Sequence, residues 1–153
     1  MSRRRQQAGI PRALLIAASL VITSGALTAC NQVGSTPGRL GHEEVKPNLN
    51  GIRAAQIAHR SIHGSYVEVA AAVPRTEAEL DDKTVAWPEG TDFDQLDWAP
   101  VGKVSGIYWI ELSNGGEGFI AHGLIDADGD GVPAHFTAAR NEEAKAITSE
   151  GIY

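Results

Sequence analysis

The sequence predicts an α+β domain in which an N-terminal helix packs on a three- to four-stranded antiparallel sheet. Three observations lead there. Val45, Leu49, Ile52, Ala55, His59 and Ile62 recur at steps of three and four, the spacing of one helical face. After Gly64 the chain changes to short extended pieces punctuated by Gly, Pro, Asn and Asp. Two clusters of turn residues, Asn114-Gly115-Gly116 and Asp126 to Gly131, separate three of those pieces as hairpins would. A helical run followed by a run of strands is the pattern of an α+β layout.

The elements follow in order. Residues 1–29 read as an export signal, with a basic start at Arg3, Arg4, Arg5 and Arg12, an apolar run from Ala13 to Ile22, and small residues from Thr23 to Ala29. Thr23, Ser24 and Gly25 cut the run short of the roughly 18 apolar residues that a membrane span needs. Cys30 is the only cysteine. A lone free thiol fits poorly with an oxidising compartment. Leu27-Thr28-Ala29-Cys30 resembles the lipobox of bacterial lipoproteins. That resemblance implies lipidation of Cys30, cleavage before it, and membrane attachment through the acyl chains. Each buried methylene contributes about 0.8 kcal/mol, so two or three chains give a durable anchor where one does not.

Residues 30–43 read as a flexible tether, rich in Gly, Ser, Thr, Pro and Asn and without apolar periodicity, and residues 44–153 as the folded domain. The helix is expected from about Glu44 to His63. Pro47 is accommodated if it falls in the first turn, and Gly64 supplies the left-handed stop. Strands are expected over Tyr66–Val69, Gly106–Leu112, Gly118–Ile125 and Val132–Ala138. Ile107, Trp109 and Glu111 alternate with Tyr108, Ile110 and Leu112, which suits one buried face and one partly covered face.

Three segments carry a second resemblance. Lys46-Pro47-Asn48-Leu49-Asn50-Gly51-Ile52-Arg53-Ala54-Ala55-Gln56, closing with His63-Gly64-Ser65-Tyr66-Val67, is similar to the stretch of type IV pilin-like proteins where the long helix leaves the membrane. Phe93-Asp94-Gln95-Leu96-Asp97-Trp98-Ala99-Pro100-Val101-Gly102 and Asp126-Ala127-Asp128-Gly129-Asp130-Gly131-Val132, followed by Phe136-Thr137, resemble two later segments of one branch of that family. The resemblance implies a pilin-like head. It does not extend to the N-terminus, where a prepilin has a glycine cleavage site and an apolar helix of some two dozen residues. Cys30 and a polar tether stand there instead, which rules out assembly through packed N-terminal helices.

All 19 acidic residues lie beyond Cys30 and four of the 13 basic ones precede it, so the exported part is more acidic than the formal −6 of the whole chain. Such a surface repels phosphate backbones, and no nucleic-acid partner is expected. Asp126, Asp128, Asp130 and Gly131 match positions one, three, five and six of a calcium loop, while position twelve is Thr137 rather than glutamate. This pattern suits either a structural calcium ion or a solvated Asp-Gly turn; no other cofactor is expected. His59 and His63, four apart on the helix, read as packing and capping residues. His122 and His135 fall in separate strands, so only the tertiary structure could bring them into one site. Trp98 and Trp109 read as cover for the core. Trp87, before Pro88-Glu89-Gly90, reads as the exposed tryptophan and a candidate binding residue, in an acidic, aperiodic segment from Arg75 to Asp97 suited to an interaction surface.

No Gly-x-Ser-x-Gly, His-Glu-x-x-His or glycine-rich phosphate loop is present in the sequence. The reading is a non-enzymatic, lipid-anchored envelope protein whose pilin-like domain serves a structural or binding role. Outer membrane is favoured over inner, because Asn31 rather than aspartate follows Cys30. Its expected partners are the membrane, through the lipid, and envelope or pilus proteins. The alternatives are an accessory protein docking to a type IV pilus or secretion pseudopilus, and a small periplasmic enzyme or ligand carrier.

Overall fold

The computed structural model describes residues 37–148; the leader, Cys30 and the first part of the tether lie outside the described residues. Among the described residues, one long helix, α1 (Pro37–His63), precedes seven strands: β1 (Val69–Val73), β2 (Val85–Ala86), β3 (Lys103–Val104), β4 (Ile107–Ser113), β5 (Gly118–Ile125), β6 (Ala134–Ala139) and β7 (Glu142–Ala146). Five of them form one antiparallel sheet in the order β1-β4-β5-β6-β7, and β2 pairs with β3 separately. The α+β class is as expected; the main sheet has one strand more than the three or four expected.

The helix begins earlier than expected, at Pro37 instead of Glu44, and takes in part of the segment read as tether. Pro47 therefore lies inside α1, where it removes one backbone bond and crowds the preceding turn. Packing on both sides of the proline offsets that cost: Val45, Leu49 and Ile52 are all fully buried. The helix stops at Gly64, whose φ of +81° suits a residue without a Cβ and whose N–H donates to the Arg60 carbonyl at 2.8 Å. The apolar stripe does not run to the end of the helix as its spacing suggests, for Ile62 is 76% exposed.

Gln56 takes the next inward position after Ile52 and is completely buried. Its Nε2 donates to the Val67 carbonyl at 2.6 Å and its Oε1 accepts from the Val67 N–H at 3.0 Å. Val67 precedes β1 and has no ladder partner, so the amide side chain supplies both bonds that a strand would. Arg53 and Asn50 tie the far side of the sheet to the same helix. Arg53 Nε donates to the Ala139 carbonyl at 2.9 Å, and the Ala144 N–H donates to Asn50 Oδ1 at 2.9 Å.

Tyr108, Ile110, Phe119, Ala121, Ile125, Phe136 and Ala138 turn toward α1 and are buried. Gly123 lies among them, and a Cβ there would stand 2.8 Å from Val45 Cγ1, so its lack of a side chain allows the helix to approach β5. The hairpin β4–β5 turns through Asn114-Gly115-Gly116, all at positive φ, as its sequence predicts. The strand β7 was not foreseen: Glu142-Glu143-Ala144-Lys145-Ala146 has no apolar alternation. Its charged residues suit an edge strand, where they discourage pairing with another chain.

The Arg75–Asp97 segment is more constrained than its composition suggests. The Arg75 guanidinium donates to the Asp81 carboxylate and to the carbonyls of Asp81 (3.0 Å), Lys83 (2.9 Å) and Ser105 (2.7 Å). Hydrogen bonds from the Lys83 side chain and backbone, joined by Arg75, hold the Asp81 carboxyl down at about 2.

Candidate functional site

The side of the sheet away from α1 carries the least expected chemistry. Trp109 on β4 pairs directly with His122 on β5, and His122 pairs with Thr137 on β6, which makes His135 its diagonal neighbour on the same face. The indole and the His122 ring stack with centroids 4.7 Å apart and planes 6° from parallel. His135 stacks on the same indole at 5.5 Å. The two imidazoles meet edge to edge, with His122 Nδ1 and His135 Nε2 3.0 Å apart.

Glu111, two residues beyond Trp109, borders the pair. Its Oε1 accepts from Trp109 Nε1 at 3.2 Å, and its Oε2 lies 3.8 Å from His122 Nε2. His122 Nε2 is buried and has no hydrogen-bond partner among the described residues. One of the two facing nitrogens of the pair must donate and the other accept, and we assign the proton from the surroundings. Were His122 the donor, its bare Nε2 lone pair would face a carboxylate. With His135 Nε2 donating to His122 Nδ1, His122 instead carries its proton on Nε2, toward Glu111. Burial lowers the pKa of both imidazoles, opposed by Glu111 at His122 and by Glu77 and Glu111 at His135.

An open cleft of about 200 Å³ lies alongside, lined by Ala70, Ala72, Glu77, Ile107 and Trp109. The small side chains of β1 leave one flank of the indole uncovered. Trp87 is not the exposed tryptophan expected; like Trp109 it is partly buried. Trp87, read as the exposed binding residue, is half-buried in an aromatic cluster, 5.3 Å from Phe93 and 5.5 Å from Trp98 between ring centroids. Its Nε1 is buried without a hydrogen-bond partner among the described residues. The reason is tertiary: the β2–β3 ribbon folds Trp87 onto the buried Tyr108, 6.1 Å away. Tyr108 is itself fixed by Glu44, which accepts its O–H at 3.0 Å, and by Asn48, which donates to it at 2.9 Å.

The acidic loop joins β5 to β6. Oxygens of Asp126, Asp128 and Asp130 lie within 4.8 Å of one another. Asp126 is 3% exposed and accepts the N–H groups of Gly129 (2.9 Å) and Gly131 (3.0 Å) with its two oxygens. Asp130 accepts from Val132 at 2.8 Å. Three carboxylates thus converge as a calcium loop requires, but the twelfth position falls on Thr137 within β6. Asp126→Ala is expected to lower stability by about 2 kcal/mol, through two orphaned loop amides. Urea denaturation in chelator, where any ion contribution is absent, measures it; a change below about 0.5 kcal/mol would remove Asp126 as the organiser of the turn.

His59 and His63 stack at 4.3 Å at the end of α1, and His59 Nδ1 donates to the Ser65 carbonyl at 2.9 Å, tying the helix end to the chain that follows. The His122–His135 pair had no signature of its own in the sequence. Its one trace was the strand alternation around Trp109, which assigns faces but not register.

Fold and site together define an α+β domain whose exposed sheet face presents a stacked indole and a hydrogen-bonded pair of imidazoles. No protein-family model, no curated protein and no solved structure matches the chain.

Proposed function

We propose that the protein is a lipid-anchored component of a bacterial envelope, non-enzymatic, whose pilin-like domain displays a binding surface at the end of a short tether. The observation that carries this reading is Leu27-Thr28-Ala29-Cys30, placed after a basic and apolar leader and a few residues ahead of the helix that starts the domain. No helix among the described residues is long and apolar enough to cross a membrane; attachment in this reading is through lipid at Cys30. The sheet supports the binding role. One of its faces is covered by α1, while the other carries Trp109 beside an open cleft. An open cleft suits contact with a partner better than retention of a small ligand.

Two of the pilin-like segments fall at structural joints. Phe93 and Trp98 build the aromatic cluster over Tyr108, and Asp126 to Gly131 forms the self-capped β5–β6 turn. These placements favour docking to a pilus or pseudopilus as the second reading. Calcium belongs to the proposal as a weak structural ligand that would neutralise Asp126, Asp128 and Asp130, with no further role. Asn31 after Cys30 favours the outer over the inner membrane.

The test is chemical. Mass spectrometry of the N-terminal peptide from membrane-extracted protein is expected to show Cys30 as its first residue, carrying acyl chains. Cys30→Ser is expected to leave uncleaved precursor without diacylglyceryl. An unmodified Cys30 thiol in membrane-bound protein would overturn the reading.

A further inference from the structure

We propose that His122 Nδ1 and His135 Nε2 together bind a divalent transition-metal cation of the zinc class on the outer face of the sheet, with Glu111 as the carboxylate that orients His122. The inference stands apart from lipid attachment.

The geometry is close to that of a ligand pair. Two imidazole nitrogens each about 2.0–2.1 Å from zinc and at a tetrahedral angle stand about 3.3 Å apart. Here they are 3.0 Å apart, so the nitrogens need separate by only a few tenths of an ångström while each ring tilts to aim its lone pair at the cation. The stack on Trp109 limits other motions of both rings. They are carried by β5 and β6, neighbouring strands in the middle of the sheet rather than loops. A pre-set position of this kind lessens the ordering cost of binding.

The arrangement around His122 suits a metal as well, since an imidazole ligates through a nitrogen lone pair. Glu111, with Oε2 3.8 Å from His122 Nε2, favours the proton on that nitrogen and so directs the Nδ1 lone pair toward His135, the carboxylate–histidine arrangement that supports metal ligands from behind. On binding, the proton shared between the rings moves from His135 Nε2 to its own Nδ1, so that both facing nitrogens offer a lone pair. His122 Nε2, buried and unpartnered, then has its N–H polarised by the cation and drawn toward Glu111. Imidazole nitrogen selects zinc, copper or nickel over calcium and magnesium, so this site is chemically distinct from the acidic loop. Water would fill the remaining positions, and the negative charges of Glu77 and Glu111 favour a cation there.

The experiment uses the untagged full chain in detergent micelles, stripped with chelator and titrated with Zn²⁺ alone by calorimetry and by long-range ¹H–¹⁵N spectra of the histidine rings. The expected result is one saturable Zn²⁺ equivalent, with shifts at His122 Nδ1 and His135 Nε2. Glu111→Gln is expected to weaken binding about 10- to 100-fold, as loss of an orienting carboxylate does. The double variant His59→Ala/His63→Ala should bind as the unaltered protein does. His122→Phe and His135→Phe should each abolish binding, and if either fails to fold, the ring spectra of the unaltered protein still decide. The proposal is overturned by the absence of a saturable signal at sub-millimolar Zn²⁺, or by shifts confined to His59 and His63. Loss of binding in Asp128→Asn/Asp130→Asn, with the His122 and His135 rings unmoved, would overturn it too.

Discussion

Gln56→Leu is expected to lower the free energy of unfolding by about 3–4 kcal/mol, although it replaces a polar side chain by an apolar one of similar size in a fully buried position. The effect comes from what the side chain leaves behind. Gln56 satisfies both backbone groups of Val67, which is 6% exposed. Leucine would strand a buried N–H and a buried C=O, each costing about 1–3 kcal/mol, against a smaller gain from apolar burial. Gln56→Glu should not rescue, because the ionised carboxylate has no donor for the Val67 carbonyl and protonating it to supply one costs free energy at pH 7. Denaturant unfolding read by circular dichroism gives the stability difference, and amide exchange at Val67 gives the local one. A leucine variant within about 0.5 kcal/mol of the parent would show that the two bonds contribute little.

Gly123→Val is expected to destabilise by about 3 kcal/mol, near the upper end for overpacking. Its Cβ would lie 2.8 Å from Val45 Cγ1 and 3.4 Å from both Leu49 Cδ1 and Tyr108 Cε1, before its two methyl groups are placed. All three neighbours are fully buried, and Val45 is stiff at χ1, so relief requires α1 to shift away from β5. Because the clash is local, Val45→Ala should recover part of the loss. A double-mutant cycle is expected to give a coupling of about 1–3 kcal/mol between the two positions. Additive losses would mean that the helix does not approach the sheet through Gly123.

Elements set by neighbours along the chain are legible in the sequence, and contacts such as Gln56–Val67 and Gly123–Val45 are not. The strands β4 and β5 were legible because alternation, with Asn-Gly-Gly between them, leaves few other conformations. The residues Val45, Leu49 and Ile52 were legible for the same local reason. Pro47 misled, because a proline usually marks a helix boundary and here packing on the sheet overrides it. The strand β7 was invisible, since an edge strand of Glu, Ala and Lys pairs by backbone bonds that no side-chain pattern announces. Gln56 resembled any polar residue on a helix until Val67 was seen to need it.

The tryptophans and histidines make the same division at the site. Alternation in β4 assigns Trp109 to one face, but nothing local says that α1 covers the other face. Nor does it say that the β2–β3 ribbon closes over Trp87. His122 and His135 are thirteen residues apart, joined by an acidic turn, and their nitrogens meet only because the β5–β6 register pairs Leu124 with His135. By itself the sequence determined the α+β class, the central hairpins and the acidic turn, and it supplied the Cys30 motif on which the export reading rests. All of these depend on neighbours along the chain, through backbone preference, side-chain periodicity or local chemistry. The tertiary structure alone decided which indole is covered and which imidazoles converge. Those outcomes depend on strand register and helix docking, which bring together groups that local preferences never compare.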